Sequence, residues 1–287
     1  MDVAVVGAGR VGTALAVLLG RAGHRVVGAS GGRASKARVE RHLPGVPFVS
    51  APQAAAAAEV VMLGVPDDAI ASVCHDLAGG GAVREGHAVL HLSGSVPLVA
   101  LGPARTAGAA VLALHPLQTF PHVEAGIERL PGSHVAVTAW DERGYALGER
   151  LARDAGTRPF RLDEERKPLY HAAAVFCSNY LVVVEGMAER LFRIAGLEDP
   201  VPMFGPLVEA TLANVLRLGP SAALTGPVAR GDAGTVRRNL EAISSFAPEA
   251  LPLYVALAEA ALDLAQSAGQ IGGRARAEVE EALTRWR

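Results

Sequence analysis

An apolar helical pattern in the second half of the chain is interrupted by a few polar side chains that could do acid–base chemistry. Ser178, Asn179 and Glu185 stand seven, eight and fourteen residues after His171, so a helix would place all four on one face. An unpaired buried polar group costs about 1–3 kcal/mol, and a ligand-lined cleft would supply the missing partners. Histidine, with an ordinary pKa of about 6.5, can donate a proton near neutral pH. We therefore predict that His171 is a general acid/base and that Asn179 positions the ligand.

A second group of polar side chains follows an apolar run at residues 111–114. His115 precedes Pro116, which favours an extended backbone, so the imidazole can face either the core or a cleft. Gln118 and Thr119 follow closely, and their presence favours the cleft. We expect His115 and Gln118 to contact a substrate.

A third candidate lies in the segment Thr225–Asp232, which is rich in Gly and Pro and is typical of a loop. Asp232 is a plausible N-cap of the helical pattern that follows. Arg230 could bind a substrate carboxylate through two parallel hydrogen bonds. It could equally pair with Asp232 or with a helix end, and both interpretations stay open.

These groups need a scaffold, and the start of the chain predicts one. The apolar run Val3–Val6 is followed directly by Gly7-Ala8-Gly9-Arg10-Val11-Gly12 and then by an apolar helical pattern. In this order Gly7 permits a tight turn, Gly9 lets the backbone approach a pyrophosphate, and Gly12 lets the helix pack closely on the strand. The loop therefore predicts a dinucleotide-binding site, the alternative being an incidental glycine-rich turn.

The type of dinucleotide is usually decided at the end of the second strand, where an acidic residue binds the ribose hydroxyls of NAD. This chain has Ala29-Ser30-Gly31-Gly32-Arg33 there instead. Arg33 can present a forked donor to a 2′-phosphate, with the Ser30 hydroxyl beside it. We predict NADP as the cofactor. The alternative is that Arg33 is only a solvated residue at the start of a helix.

Strand-like and helical patterns alternate up to about residue 162 and predict a doubly wound Rossmann sheet. The predicted strands are Val3–Val6, His24–Ala29, Val46–Val49, Val60–Val65, Ala88–Leu92, Val111–Leu114 and His134–Thr138. Only helical patterns follow: Lys167–Gly196, Val201–Leu218, Asp232–Phe246, Glu249–Ala268 and Arg274–Trp286. The sequence thus predicts an α/β fold, with a Rossmann domain over 1–162 and an all-α substrate and dimerisation domain over 163–287.

Composition narrows the function classes. Of the 287 residues 50% are hydrophobic, and the formal net charge is -2, which argues against non-specific binding of nucleic acid or of anionic membranes. No run approaches the roughly 18 consecutive apolar residues of a membrane span. Cys74 and Cys177 form no disulfide framework, and no residue group has metal-ligand spacing, so we expect a cytoplasmic protein without a metal. Apolar helix faces such as Leu251–Leu264 favour a homodimer through the second domain.

Together these features resemble the Rossmann-like/DUF2520 proteins of the 6-phosphogluconate dehydrogenase-like superfamily, which includes β-hydroxyacid dehydrogenases, ketopantoate reductase and pyrroline-5-carboxylate reductase. Besides the glycine loop, the motifs that carry the resemblance are Leu92–Ser95, Leu114–Phe120, Tyr170–Asn179 and Leu224–Asp232. The resemblance implies that Val65 and Pro66 lie by the nicotinamide and that Ser93, Gly94 and Ser95 face the substrate. Taken alone, a Ser-Gly-Ser segment after a strand is typical of an ordinary turn.

The resemblance also implies reduction of a small oxo compound such as a 2-oxo acid by NADPH, with hydride transfer across an interdomain cleft. In the β-hydroxyacid dehydrogenases the equivalent helix carries a lysine four residues before an asparagine. Asn179 matches that asparagine, but Val175 stands in place of the lysine, and Lys167 is expected to lie too near the helix start to replace it. The alternatives are a ketopantoate reductase proper and an NADP-binding sensor in which His171 and Asn179 only link helix and sheet. A deazaflavin as redox partner is a further alternative within this superfamily.

Overall fold

One mixed β-sheet organises the first part of the chain. The computed structural model describes all 287 residues, Met1–Arg287. The strands are β1 (Asp2–Val6), β2 (Arg25–Ser30), β3 (Val60–Leu63), β4 (Ala88–His91), β5 (Ala110–Pro116), β6 (His134–Ala139) and β7 (Arg158–Arg161). Their order in the sheet is β2-β1-β3-β4-β5-β6-β7, and all neighbours are parallel except β5 and β6. The α/β fold with an N-terminal Rossmann-type sheet, predicted from the sequence, is confirmed.

The central strands are apolar because both faces of the sheet are covered. All four residues of β3 and all four of β4 are buried. A parallel sheet covered on both faces has continuous apolar strands rather than alternating ones. Two apolar clusters result, one around Leu19 and Leu112 and the other around Leu77 and Leu101.

Eight helices accompany the sheet. They are α1 (Arg10–Arg21), α2 (Arg33–His42), α3 (Ala51–Ala56), α4 (Ile70–Gly79), α5 (Gly102–Thr106), α6 (Val123–Arg129), α7 (Glu142–Asp154) and α8 (Lys167–Val175). Some begin at a side-chain cap, which satisfies amides that the helix leaves unpaired. The Asp141 carboxylate accepts from the Gly144 amide at 2.7 Å, and Ser50 forms a reciprocal capping box with Gln53.

Two strand assignments need correction. Val46–Val49 is not a strand, and only Phe48 forms an isolated bridge, with Ala29. Pro47 within this run lacks the N–H that a continuous ladder needs. The edge strand β7 was not predicted, because its sequence Arg-Pro-Phe-Arg is short, charged at both ends and never fully buried.

The remaining chain is helical, as predicted. Its helices are α9 (Leu181–Ile194), α10 (Pro200–Leu218), α11 (Pro220–Ala223), α12 (Ala233–Phe246), α13 (Leu251–Ser267) and α14 (Gly273–Thr284). The core of this bundle includes Leu240, Leu262 and Leu283. The predicted N-cap of α12 is present, since the Asp232 carboxylate accepts from the Thr235 amide at 2.9 Å.

The chain forms two compact units, Met1–Asn179 and Tyr180–Arg287. The predicted helix Lys167–Gly196 is interrupted at this division, where a π-helical turn spans Phe176–Tyr180 between α8 and α9. The helical pattern of the sequence divides the chain after residue 162, whereas compact packing divides it after Asn179. The functional domain boundary after residue 162 stays a prediction.

The stretch Glu164–Ile194 is long and apolar enough to cross a membrane by length and composition, with a mean hydropathy of 1.2, and none of its apolar window is buried. Charged residues such as Glu185 interrupt this stretch, so it contains no long run of consecutive apolar residues. One helix of this kind is weak support for a membrane span, since core helices of soluble proteins have the same composition.

Candidate active site

The glycine loop between β1 and α1 is shaped by contacts that leave no room for side chains. Gly7 has a φ of +79°, and a Cβ on it would lie 2.4 Å from Val65 Cγ1. A Cβ on Gly9 would lie 3.2 Å from the Gly64 carbonyl oxygen. The Gly7 amide donates to the Ser30 carbonyl oxygen at 3.1 Å, which ties the loop to the end of β2. Val65 therefore packs directly against the loop.

The helix that follows the loop presents its N-terminus without a side-chain cap. Helix α1 begins at Arg10, and no side chain caps its first amides, which suits an anion such as a pyrophosphate. A Cβ on Gly12 would lie 3.1 Å from Val5 Cγ1, so glycine lets α1 approach β1. The sequence analysis missed Gly64, where a Cβ would lie 2.6 Å from the Gly7 carbonyl oxygen. A glycine immediately after a buried strand was the available signal.

The end of β2 carries the side chains predicted to select the dinucleotide. Ser30 closes β2 and is buried, whereas Arg33 opens α2 and is exposed. From the second turn of α2, the Arg38 guanidinium donates to the Ala8 carbonyl oxygen in the glycine loop. A buried serine that ends β2 and an exposed arginine that opens α2 fit a 2′-phosphate.

A cavity of about 230 Å³ beside the end of β5 collects several of the predicted site residues. Its lining consists of His115, Leu117, Gln118, Thr119, His171, Ala174, Val175, Cys177, Ser178 and Asn179. These residues come from two segments that are distant in sequence, so the tertiary fold brings them together. The predicted substrate residues Ser93, Gly94, Ser95 and Arg230 are not part of this lining.

The π-helical turn at Phe176–Tyr180 forms one wall of the cavity. A π turn inserts an extra residue, so the side chains after it are rotated relative to a regular α-helix. Cys177 and Asn179 line the cavity together with His171. Glu185, which regular helical spacing placed on the same face, lies beyond the turn in the second unit.

Two histidine rings meet at Gly94. The ring centroids of His115 and His171 are 5.9 Å apart, and a Cβ on Gly94 would lie 2.9 Å from His115 Nε2 and 2.8 Å from His171 Cδ2. His115 Nδ1 lies 3.0 Å from the Tyr170 hydroxyl. Burial, then the His171 ring and the Lys167 charge, lower the pKa of His115 to about 4, although a nearby carboxylate opposes them. His115 is therefore neutral at neutral pH.

The serine turn after β4 is held by a carboxylate from the turn after β3. Val65 and Pro66 lead from β3 into that turn, where Asp67 accepts hydrogen bonds from Ser93 Oγ at 2.6 Å and from Ser95 Oγ at 3.2 Å. Both hydroxyls thus have partners within the protein, as in an ordinary Ser-rich turn. A substrate-facing role for these serines stays a prediction.

A buried lysine lies beside the serine turn. Lys167, the first residue of α8, is 2% exposed, and its Nζ donates to the Ser93 carbonyl oxygen at 3.1 Å. Burial lowers the pKa of Lys167 to about 8, against the opposing charges of Glu164 and Asp67. Lys167 does not line the cavity, in line with its place at the helix start. Its burial was not foreseen, although its position four residues before His171 was a signal.

His91 at the end of β4 also escaped the sequence analysis. The residue is fully buried, and its Nδ1 accepts a hydrogen bond from the Ser93 amide at 3.2 Å. Burial, followed by the charges of Lys167 and His115, lowers the pKa of His91 to about 3. The ring is therefore neutral and helps to shape the serine turn.

Arg230 lies in the second unit, exposed in the turn before α12. Hydrogen bonds from Thr235 lower the pKa of Asp232, and the charges of Arg238 and Arg230 add to this effect. The proposed pairing of Arg230 with Asp232 thus has electrostatic support. Binding of a substrate carboxylate by Arg230 stays a prediction.

A sheet with a glycine loop at the end of its first strand, followed by a bundle of helices, defines a Rossmann-type protein with an all-α second part. Residues 1–116 match the Rossmann-like domain, and residues 133–261 match DUF2520, a domain of unknown function. The chain therefore belongs to the family that joins a Rossmann-like domain to a DUF2520 domain, as the sequence resemblance predicts. No protein of curated function matches the sequence.

Solved structures share this fold over most of the chain. A Bacteroides fragilis protein provisionally assigned as an NADP oxidoreductase has a TM-score of 0.75 at 23% identity, covering 91% of this chain and 98% of its own. An imine reductase from Streptomyces aurantiacus has a TM-score of 0.61 at 18% identity, covering 98% and 99%. A reductive aminase from Aspergillus terreus, in complex with NADPH and ethyl levulinate, has a TM-score of 0.60 at 17% identity, covering 99% and 92%. At these identities the similarity establishes a common fold.

Proposed function

We propose that the protein is an NADP(H)-dependent oxidoreductase that reduces a small oxo acid or a related carbonyl compound. The observation that carries the proposal is the convergence of His115, His171 and Asn179 on one cavity. The parallel strands β1, β3, β4 and β5 end at the same edge of the sheet, so the glycine loop after β1 shares that edge with the cavity beside β5. Ligands of open α/β sheets bind at this edge. The similarity in fold to an imine reductase and a reductive aminase supports a reductase of this kind.

The residues around the glycine loop fit NADP. The absence of side chains at Gly7 and Gly9 and the uncapped start of α1 suit a pyrophosphate, and Arg33 with Ser30 suits a 2′-phosphate. When bound, the reduced nicotinamide supplies the hydride that the reaction needs. The reductive aminase of similar fold is in complex with NADPH, which supports the same cofactor here.

The chain's own residues would meet the charge that develops on the substrate oxygen. His171 holds the proton that passes to this oxygen as the carbonyl becomes an alcohol. Asn179 lies on the same wall of the cavity and can orient the substrate through its amide N–H groups. Gln118 contributes a further amide from the opposite segment. None of these roles needs a lysine.

A non-catalytic NADP-binding protein is the second candidate function. Val175 stands where the β-hydroxyacid dehydrogenases carry their lysine, and its apolar side chain lines the cavity. A sensor would keep the glycine loop and use the cavity for a regulatory ligand. Among enzymes, ketopantoate reduction is the nearest specific alternative.

Binding and turnover separate these candidates. NADPH binding is measured first by the change in cofactor fluorescence, and NADPH oxidation is then followed over a panel of 2-oxo acids, ketopantoate and imino acids. We expect binding together with turnover of at least one oxo compound. Binding without turnover of any compound in the panel would favour the sensor and contradict the reductase.

The variant His171→Asn tests the assigned acid. It keeps a polar side chain but removes the imidazole proposed as the acid, so turnover should fall about 100-fold, the usual size of a lost general acid, while NADPH binding is unchanged. His134→Asn, at an exposed position at the start of β6, is the matched control and should keep wild-type turnover. Undiminished turnover in His171→Asn would remove this residue from the mechanism.

We further propose that a second copy of the chain covers the apolar surface of the second unit. Exposed apolar side chains on α9 and α10 are Val182 at 70%, Met203 at 64%, Leu207 at 65% and Leu216 at 79%. Contiguous exposed apolar surface marks an interaction site. Charged side chains on α9, such as Glu189 and Arg193, make a bilayer the poorer partner.

Light scattering tests the homodimer. We expect a particle of twice the chain mass of 29.6 kDa and a shift to the monomer when Leu207→Glu places a charge on this surface. A monomeric wild-type chain in solution would contradict the homodimer, and recovery of the protein with membranes would support a bilayer instead.

We also propose a cytoplasmic location. Both cysteines are free thiols, with Cys74 buried and Cys177 exposed. Free thiols persist in reducing compartments, where disulfides are rare.

A further inference from the structure

We propose that His115 is a catalytic residue that donates a hydrogen bond from Nε2, as a neutral imidazole, to the substrate oxygen, and that Tyr170 is the positioning residue that holds this tautomer. The inference rests on the proposed function, because it assigns roles within the same cavity. It gives the two histidines different tasks, with His171 as the proton donor and His115 as a fixed hydrogen-bond donor.

A single contact with Tyr170 determines which ring nitrogen of His115 carries the proton. The hydroxyl lies 3.0 Å from His115 Nδ1, and the two rings are almost perpendicular, at 87°. Burial raises the pKa of Tyr170 to about 12, so the phenol keeps its proton. His115 is the hydrogen-bond partner that the chain itself gives this hydroxyl, and we infer that the protonated phenol donates to Nδ1. A neutral imidazole that accepts at Nδ1 carries its proton on Nε2.

The Nε2 edge of His115 lies beside Gly94, where a Cβ would lie only 2.9 Å from Nε2, so a glycine is needed here for the ring to take this position. His115 and His171 both line the cavity, so a substrate oxygen bound there is within range of both rings. The Tyr170 ring itself is held by Phe160, with ring centroids 5.9 Å apart.

Charges from several elements keep the His115 ring neutral. Lys167 and His171 on α8 lower its pKa after burial, which is the main cause, while Asp67 in the turn after β3 raises it. His91 on the neighbouring strand β4 interacts with the same ring. With a pKa of about 4, His115 has no proton to lose or gain between pH 6 and pH 8. A fixed neutral donor can stabilise a developing oxyanion without itself changing protonation.

Nitrogen NMR of the full chain, labelled with ¹⁵N in its histidines, reads the tautomer without requiring turnover. At pH 7 we expect His115 to carry one proton, on Nε2, and its Nδ1 resonance to be displaced by an accepted hydrogen bond. Tyr170→Phe keeps the ring and removes the hydroxyl, so the Nδ1 resonance should move to that of an imidazole nitrogen without a hydrogen bond. Tyr145→Phe on α7 is the matched control and should leave His115 unchanged. A His115 ring protonated on Nδ1 or on both nitrogens at pH 7 would overturn the proposal.

Kinetics test the donor role. His115→Phe keeps an aromatic ring without a donor, and kcat should fall about 100-fold, as for the loss of one oxyanion donor, with NADPH affinity unchanged. His115→Gln retains an amide donor and should recover part of that loss, and Tyr170→Phe should reduce kcat about tenfold. An active wild type together with an equally active His115→Phe refutes this inference and leaves the proposed function standing. A wild type that binds NADPH but reduces no oxo compound refutes the proposed function itself.

Discussion

At the β1 end of the sheet edge the proposed binding surface consists of backbone, whereas at the β5 end it consists of side chains. The glycine loop offers amides and space, and its shape depends on the close approach of Gly7 to Val65. The cavity offers His115, His171 and Asn179, whose behaviour depends on burial and on neighbouring charges.

The two ends should therefore respond differently to pH and to substitutions. A site made of backbone has no group that titrates, so pH should leave its geometry intact, but an added methyl group should damage it. A site made of buried side chains tolerates few charge changes, because each charge shifts the pKa of the others.

Gly7→Ala should have the largest effect, at the backbone end. The new Cβ would lie 2.4 Å from Val65 at a φ of +79°, so strain of about 1–2 kcal/mol adds to overpacking of about 1–3 kcal/mol. We expect the free energy of unfolding in urea to fall by about 4 kcal/mol in total and NADPH binding to be lost. Gly23→Ala is the matched control, because Gly23 has a φ of +91° but no atom within 4 Å, and it should lose only the strain of about 1–2 kcal/mol. Equal losses in the two variants would contradict the steric argument.

Lys167→Met tests the effect of the buried amine, near the β5 end, on stability. The pKa of Lys167 is about 8 in the folded chain against an ordinary value of 10.5, so between these values the unfolded chain binds more protons and stability rises with pH. Removal of the amine removes this rise. The free energy of unfolding of the wild type minus that of the variant should therefore increase by roughly 3 kcal/mol from pH 8 to pH 10.5. Lys36→Met, at an exposed lysine, is the matched control, and a flat difference for Lys167→Met would mean that folding does not lower the pKa of this amine.

Gly94→Ala should impair turnover without affecting the cofactor. The added Cβ would collide with both histidine rings, at 2.8 and 2.9 Å, and a displacement of about 1 Å at reacting groups costs about 100-fold in rate. Steady-state kinetics should show that loss in kcat, while NADPH titration gives the wild-type Kd. Gly79→Ala at an open position on α4 should leave both quantities unchanged. A lower affinity for NADPH in Gly94→Ala would mean that the two ends of the edge are not independent.

Arg33→Ala should have the smallest effect, because the side chain is exposed. Loss of one charge-assisted hydrogen bond to a 2′-phosphate should weaken NADPH binding about tenfold and leave NADH binding unchanged. Arg41→Ala, further along α2, is the control and should alter neither affinity. An equal effect of Arg33→Ala on both dinucleotides would refute the 2′-phosphate role.

The glycine loop at the β1 end could be predicted from the local sequence. Apolar runs such as Val3–Val6 predict buried strands, and the spacing of Gly7, Gly9 and Gly12 predicts the loop, because each requirement acts within a few residues of chain. Two strand predictions were wrong for local reasons. Val46–Val49 has strand composition, but Pro47 has no N–H to donate to a ladder. Strand β7 is an edge strand that needs little apolar sequence.

At the β5 end, the sequence predicted the candidate residues but not their arrangement. His115, His171 and Asn179 were identified by residue type and spacing, and they do line one cavity. Their arrangement depends on a π turn that regular helical spacing does not predict. The burial of Lys167 under Ser93 depends on contacts between distant segments.

By itself, the sequence determined the alternation of strands and helices followed by an all-helical part, the glycine loop and the candidate polar groups, because these follow from local sterics and from the periodicity of apolar residues. Only the tertiary structure decided that Tyr170 meets His115, that Lys167 is buried and that the serine hydroxyls bind Asp67. Hydrogen-bond partners, burial and pKa arise from groups that are far apart along the chain and adjacent only after folding.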